Sequence, residues 1–218
     1  YMVFKYKVEY GHDTELLNCI SLELNGATIA DEQNMPLTVT NFPKDGFNSF
    51  AANATIKIDT ISPAVSSIKS LIPNGAYKAD DVIKIQVIFT ENVDISIPDG
   101  KQLAMKLNIA GKERYAVYDG SEDGNSHNKA VFVYTVQKGD NVDVLSWTSW
   151  VADGVEITDS AVGAGGKGNA FAFSQTDTTY QWSSKLVIDT TAPQVSEVFS
   201  SFSSPKLELE GCYDETEK

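Results

Sequence analysis

The sequence predicts an all-β fold, an antiparallel β-sandwich with Greek-key connections. Apolar residues alternate with polar ones in many segments, as expected of strands with one buried face, and no window has the period of an amphipathic helix. Turn-forming stretches such as Pro98-Asp99-Gly100 separate these segments. The chain of 218 residues also contains an internal repeat. Short alternating strands with long connections are typical of a Greek-key sandwich.

The repeat unit is about 130 residues long. Three blocks recur at an offset of 128 or 130 residues: 3–19 with 131–147, 25–31 with 153–159, and 58–68 with 188–198. We therefore predict the C-terminal part of a first unit in 1–60, a complete unit in 61–191 and the N-terminal part of a third unit in 192–218. Because the chain opens with Tyr1 inside a strand pattern, we expect it to be a segment of a longer protein.

The repeat also predicts which strand face is buried. Phe132, Tyr134 and Val136 are expected to face inward, because the residues between them align with Lys5 and Lys7, and lysine is rarely fully buried. About seven strands are expected in the complete unit. Their other marker residues are Ile83, Ile85, Val87, Phe89, Leu103, Met105, Leu107, Ile109, Tyr115, Val117, Leu145, Trp147, Phe171, Phe173, Leu186 and Ile188.

The first unit is incomplete by the same comparison. Phe4, Tyr6 and Val8 align with the inward face of the second unit. Residues 1–60 hold only the later strands of a unit, so we expect these side chains to be exposed. We also expect both flanks to be less stable than residues 61–191.

The chain has two cysteines, Cys19 and Cys212. Cys19 aligns with Trp147, two residues after an inward leucine, so we predict a buried free thiol. Cys212 belongs to the third unit, a whole unit away in a linear array, so no intramolecular disulfide is predicted.

Charge and composition exclude several classes of function. Thirty acidic residues against 17 basic ones give a net charge of −13, which repels nucleic acids and anionic membrane surfaces. No stretch approaches the roughly 18 apolar residues of a spanning helix, so no direct membrane insertion is expected. Two histidines leave no multi-histidine zinc site and little histidine base chemistry. No catalytic constellation stands out, and we predict that the chain is not an enzyme.

Short motifs in the repeat carry a family resemblance. Residues 58–63 read IDTISP and residues 188–193 read IDTTAP, while NGAYKADD and VFVYTVQKGD occur in order between them. As an ordered set, these blocks resemble the bacterial Ig-like (cadherin-like) repeats of secreted and cell-surface adhesin-type proteins. The resemblance implies Ig-like sandwich units in a tandem array. It implies an extracellular or cell-surface location, with adjacent repeats of the same chain and a cell-surface protein or glycan as partners.

Calcium is the cofactor that this resemblance implies, since some members of the group bind Ca²⁺ at the joints between domains. The residues give separate support, because Ca²⁺ takes six to eight oxygen ligands and the strand ends and linkers are rich in carboxylates. An aspartate in a turn also commonly caps its own backbone, so a structural role stays open. The candidate ligands are Asp59 and Asp189 in the linkers and Glu91, Asp81 and Asp140 beside strands, with Asp31 and Asp159 as further acids in matching turns.

We therefore predict a non-enzymatic structural and adhesive module. Proline-containing linkers would limit bending between units, and Ca²⁺ would stiffen the joints. The alternative is a carbohydrate-binding module of a secreted enzyme. In that case Trp150 and Trp182, which lie near predicted strand ends, would be open enough to stack on sugars, while Trp147 packs in the core. A catalytic domain that uses a pair of acids is a third, weaker interpretation.

Overall fold

Strands form where branched and aromatic residues alternate with polar ones. The computed structural model describes residues 3–38, 40–120, 127–160, 167–173, 182 and 184–198. The elements in these ranges are a short helix, α1 (Phe50–Asn53), and the strands β1 (Val65–Ser70), β2 (Gly75–Tyr77), β3 (Val82–Phe89), β4 (Val93–Ser96), β5 (Ala104–Leu107), β6 (Tyr115–Tyr118), β7 (Lys129–Thr135), β8 (Asn141–Val142), β9 (Trp147–Val151), β10 (Glu156–Asp159) and β11 (Leu186–Asp189).

The strands form three sheets around one core. The largest is a six-stranded antiparallel sheet in the order β1-β3-β7-β6-β5-β9, and the others are β2-β11-β8 and β10-β4. Ile188 of β11 and Ile157 of β10 lie in the same buried cluster as Ile85 of β3. The all-β prediction is confirmed, and the packing agrees with a sandwich. One pairing departs from the antiparallel pattern, because β11 runs parallel to β2.

Most of the predicted core is buried. Solvent reaches almost none of the alternating residues of β3 or of the Phe132 face of β7. The predicted inward residues Leu103, Met105, Leu107 and Ile109 are buried as well. The strand that Tyr115 and Val117 predicted is β6, in which Ala116 is buried while Val117 is 39 % exposed. Val117 lies opposite Val133 of β7, whose side chain is on the outward face, and this pairing turns Val117 outward as well.

Two other expectations need correction. The estimate of about seven strands was too low, because the described ranges contain eleven. The missed strands include two- and three-residue elements, which are too short to show a period of two. Phe171 and Phe173 pack in or against the core but lie outside the named strands, with only Ala170 forming an isolated bridge to Thr158.

Residues 3–60 have little regular structure. They contain α1, capped by the Ser49 side chain, and isolated bridges such as that between Thr14 and Ile58. Phe4 is 68 % exposed, whereas its repeat partner Phe132 is 1 % exposed. Cys19 is a free thiol, as predicted, but it is exposed rather than buried, since this segment has no core to cover it. In the ranges given above, no helix is long and apolar enough to cross a membrane.

The predicted third unit is described only in part. Residues 192–198 carry no strand, and Val195 and Val198 are exposed. The remainder of that unit, with Cys212, lies outside the described residues. The structure therefore gives no position for the second cysteine.

Positions that the sequence pairs across the repeat make the same local hydrogen bonds. The Gly11 amide donates to Thr60 Oγ1 at 2.9 Å, and the Gly139 amide donates to Thr190 Oγ1 at 2.8 Å. The Thr60 amide donates to Asp13 Oδ1 at 3.0 Å, and the Thr190 amide donates to Asn141 Oδ1 at 2.9 Å. The two linkers thus begin with the same backbone arrangement.

Equivalent phenylalanines should differ in their contribution to stability. We expect Phe132→Ala to lower the free energy of unfolding by about 3–5 kcal/mol, because it leaves a cavity in the core. Phe4→Ala should change it by less than about 0.5 kcal/mol, because that side chain is mostly exposed. Urea denaturation of both variants measures the difference. Similar losses would mean that Phe4 is also packed in a core.

Candidate metal centre

Three acidic side chains meet where the first linker, residues 58–63, reaches the rest of the predicted unit 61–191, which we call the body of the chain. Asp59 lies in the linker, Glu91 follows β3 and Asp159 ends β10. One carboxylate oxygen from each lies within 4.8 Å of the other two. Asp159 is buried, and the other two residues are half-buried. We call these three residues the acidic triad.

Strand pairing brings the triad together. β10 pairs with β4 so that Asp159 lies opposite Val93, two residues beyond Glu91. The linker is held beside the same loop, because the Thr90 amide donates to Ala64 O at 2.8 Å and the Ala64 amide donates to Thr90 Oγ1 at 3.0 Å. Three segments that are distant in sequence therefore converge at the triad, where Asp59 and Glu91 line an open cleft and Asp159 is buried.

The negative charges of the triad repel one another. Burial raises the pKa of Glu91 above its usual value, and the neighbouring charges of Asp59 and Asp159 raise it further. Lys57 Nζ lies 3.6 Å from Asp59 Oδ2 and 3.1 Å from Glu15 Oε1, so one lysine is shared between two acids at the rim. A divalent cation among the triad carboxylates would relieve the repulsion.

The oxygen-rich cleft fits the chemistry of calcium. Three carboxylates offer oxygen ligands from three segments, and Ca²⁺ accepts mono- or bidentate carboxylates in irregular geometry. Both oxygens of Asp159 already accept hydrogen bonds from Asn169, at 2.8 Å from the backbone amide and 2.7 Å from Nδ2. These bonds fix the orientation of the Asp159 carboxylate.

Three of the acids named from the sequence, Asp59, Glu91 and Asp159, lie in the triad, and the others lie elsewhere. Asp189 Oδ1 accepts a hydrogen bond from the Thr191 amide at 2.9 Å, as an aspartate that caps its own turn does. Asp81 accepts from the Lys78 amide at 2.8 Å and from Lys78 Nζ at 3.2 Å. These bonds, led by the backbone one, lower the pKa of Asp81.

Asp140 forms a buried polar cluster instead of joining the acids. Its carboxylate accepts hydrogen bonds from Arg114 Nε at 3.0 Å, Lys112 Nζ at 3.3 Å, the Gln137 amide at 3.0 Å and the Tyr134 hydroxyl. Burial alone would raise the pKa of Asp140, but these donors outweigh it and lower the pKa to about 2. Burial, followed by the bond to Asp140, raises the pKa of Tyr134. The geometry gives Asp140 a structural role.

The tryptophans do not form an open sugar-binding face. Trp150 was expected to be accessible, but it is 5 % exposed and its ring centroid lies 5.7 Å from that of Phe132. The reason is the pairing of β9 with β5, which places Trp150 opposite Met105 at the core. Trp147, expected in the core, and Trp182 are partly buried and pack against the same cluster. Stacking on a sugar would require Trp150 to leave the core.

Sequence reasoning named Asp159 only as a further acid in a turn, and it missed Asn169. Asp159 was matched with Asp31 as a turn acid, but nothing in the linear sequence placed it beside Glu91 rather than any other acid. Asn169 was not considered, because it lies between the repeat blocks at 153–159 and 188–198, where no alignment drew attention to it.

The Asp140 cluster predicts a defined pH dependence. The folded pKa of Asp140 is about 2, below the ordinary value of 3.8. Its contribution to stability is therefore fully present above pH 4 and is lost as the pH falls to about 2. We expect Asp140→Asn to lower the free energy of unfolding by about 2 kcal/mol at neutral pH. The variant should also lose less stability than the parent chain as the pH falls from 4 to about 2. Urea denaturation as a function of pH measures both effects.

Asp153 supplies the matched control for that experiment. It forms an ion pair with Lys101, but its side chain is 84 % exposed. Asp153→Asn should therefore leave the stability nearly unchanged. If Asp140→Asn lost as much stability at low pH as the parent chain does, Asp140 would not be the source of this pH dependence.

Comparison with models of known protein families, with curated proteins and with solved structures finds no match to this chain.

Proposed function

We propose that this chain is a non-enzymatic structural and adhesive module of an extracellular or cell-surface repeat protein, in which Ca²⁺ at the first linker stiffens the joint between neighbouring units. The observation that carries the proposal is the acidic triad, because one of its acids belongs to the linker and two belong to the body. A cation bound by all three would connect the two parts. Adjacent repeats of the same chain would then be held at a fixed angle.

The matched linker bonds support the proposed array. At both linkers a threonine hydroxyl accepts from a glycine amide, and the amide of that threonine donates to an Asp or Asn side chain. Pro63 and Pro193 are the last residues of the two linkers, and they restrict the backbone there. A joint with the same local geometry at both ends suits a chain of similar units.

The mechanism is a balance between repulsion and bridging. Without a cation, ionised Glu91 faces the charges of Asp59 and Asp159, which weakens the contact between linker and body. With a cation, the same carboxylates attract a common centre, and the linker loses its freedom to swing. Calcium sites in extracellular modules bind with dissociation constants of about 10⁻⁴ to 10⁻³ M, so the ion concentration outside cells would fill such a site.

Thermal unfolding in calcium and in chelator tests the proposal. Millimolar Ca²⁺ should raise the thermal midpoint of the 218-residue chain by about 2–6 °C. Glu91→Gln should act in opposite directions under the two conditions. In chelator it should raise the midpoint slightly, because it removes a half-buried charge from an acidic cleft, whereas in calcium it should abolish the calcium-induced rise of the midpoint.

Asp81→Asn is the control variant, since Asp81 is a predicted ligand outside the triad whose carboxylate accepts from Lys78. It should keep the full response to calcium. Equal midpoints of the parent chain in calcium and in chelator would contradict the proposed metal centre.

A further inference from the structure

The linker is also attached to the body by an uncharged side chain. Asn169 Nδ2 lies 3.2 Å from the backbone oxygen of Asp59 and 3.3 Å from that of Ile61. The same nitrogen lies 2.7 Å from Asp159 Oδ2. One amide group therefore connects two linker carbonyls to a carboxylate of the body.

Asn169 is held beside β10 by backbone hydrogen bonds on either side of it. The Asp159 amide donates to Asn169 O at 3.0 Å, and the Phe171 amide donates to Ile157 O at 2.8 Å, so this segment runs along the strand as an additional ladder. At Gly168 the approach is very close, because a Cβ atom there would lie 2.0 Å from Asp159 O. Glycine at this position lets the chain come near enough for the next residue to reach the linker.

The other side of the linker is bound by the first unit. The Thr60 amide donates to Asp13 Oδ1, and Thr60 Oγ1 accepts from the Gly11 amide. Asn169, which belongs to the body, binds the same linker through its own hydrogen bonds to Asp59 O and Ile61 O. Residues 59–61 thus lie between two sets of hydrogen bonds, and the orientation of one unit against the other depends on both sets.

We propose that Asn169 is the positioning residue of this joint, which fixes the linker against Asp159 before any cation is bound. The inference rests on the proposed function only in treating residues 59–61 as a joint between units. It differs from that proposal in requiring no metal. Hydrogen bonds to the backbone give the joint a preferred angle, and a cation would add stiffness to an orientation that already exists.

Spin-label distances measured in chelator test this role. The exposed thiol of Cys19 provides one label site in the first unit, Ser67→Cys provides another on β1, and Cys212→Ser removes the remaining thiol. The width of the distance distribution measured in the parent chain is the reference, because residues 3–60, which carry the Cys19 label, have little regular structure of their own. Asn169→Ala and the isosteric Asn169→Asp, which replaces both N–H donors, should widen the distribution about twofold or more.

Asn108→Ala is the matched control. Asn108 also joins two backbone groups, donating to Val144 O at 2.9 Å and accepting from the Ser146 amide at 2.7 Å, but both lie within the body. This variant should lower the midpoint of urea unfolding without changing the width of the distribution. Asn169→Ser provides a milder change if either Asn169 variant fails to fold.

The two proposals fail in different ways. Distributions of equal width in the parent and the folded Asn169 variants, in chelator, would overturn the positioning role. Failure of calcium to narrow the distribution in the parent would count against the metal centre and leave the role of Asn169 intact.

Discussion

The pairing of β10 with β4 is the constraint on which the rest of the joint depends. Its register places Asp159 opposite Val93 and hence beside Glu91. The same strand buries Ile157 in the core and carries the segment that ends in Asn169. A slip of one residue would turn Asp159 to the opposite face and Ile157 toward solvent. Burial of Ile157 therefore fixes the position of the acid.

The two copies of the repeated segment separate local from tertiary effects. Tyr134 and the Gln137 amide both donate to Asp140, whereas in the first copy Tyr6 and the Glu9 amide contact His12 Nδ1 at 2.7 and 3.2 Å. The turn keeps its geometry although the acceptor changes from a carboxylate to an imidazole. Burial is not kept in the same way, because Tyr6 is 57 % exposed and Tyr134 is 3 % exposed. Local sequence is enough for the turn, while burial requires neighbouring strands.

The same distinction explains what could be predicted. Alternation identified β3 and β5 with their inward faces, because a period-two pattern is a property of the segment itself. The inward face of β7 was predicted from the alignment of its other face with Lys5 and Lys7. The prediction that Trp150 would be open was wrong, because its burial follows from the strand that lies opposite. The grouping of the three acids was harder to predict from the sequence than the strands were. Asp59 and Glu91 were recognised as ligand-type residues, but their grouping with Asp159 follows from a sheet register between residues more than sixty positions apart.

The joint combines two kinds of attachment with different demands on solution conditions. The amide of Asn169 attaches the linker through uncharged hydrogen bonds, whereas the charges of the acidic triad repel one another and would need the proposed cation to offset them. Calcium titration calorimetry of the parent chain and of Asp159→Asn tests most directly whether the triad binds calcium as proposed. We expect saturable binding that Asp159→Asn abolishes. Absence of saturable binding in the parent, or equal binding in both proteins, would contradict this proposal.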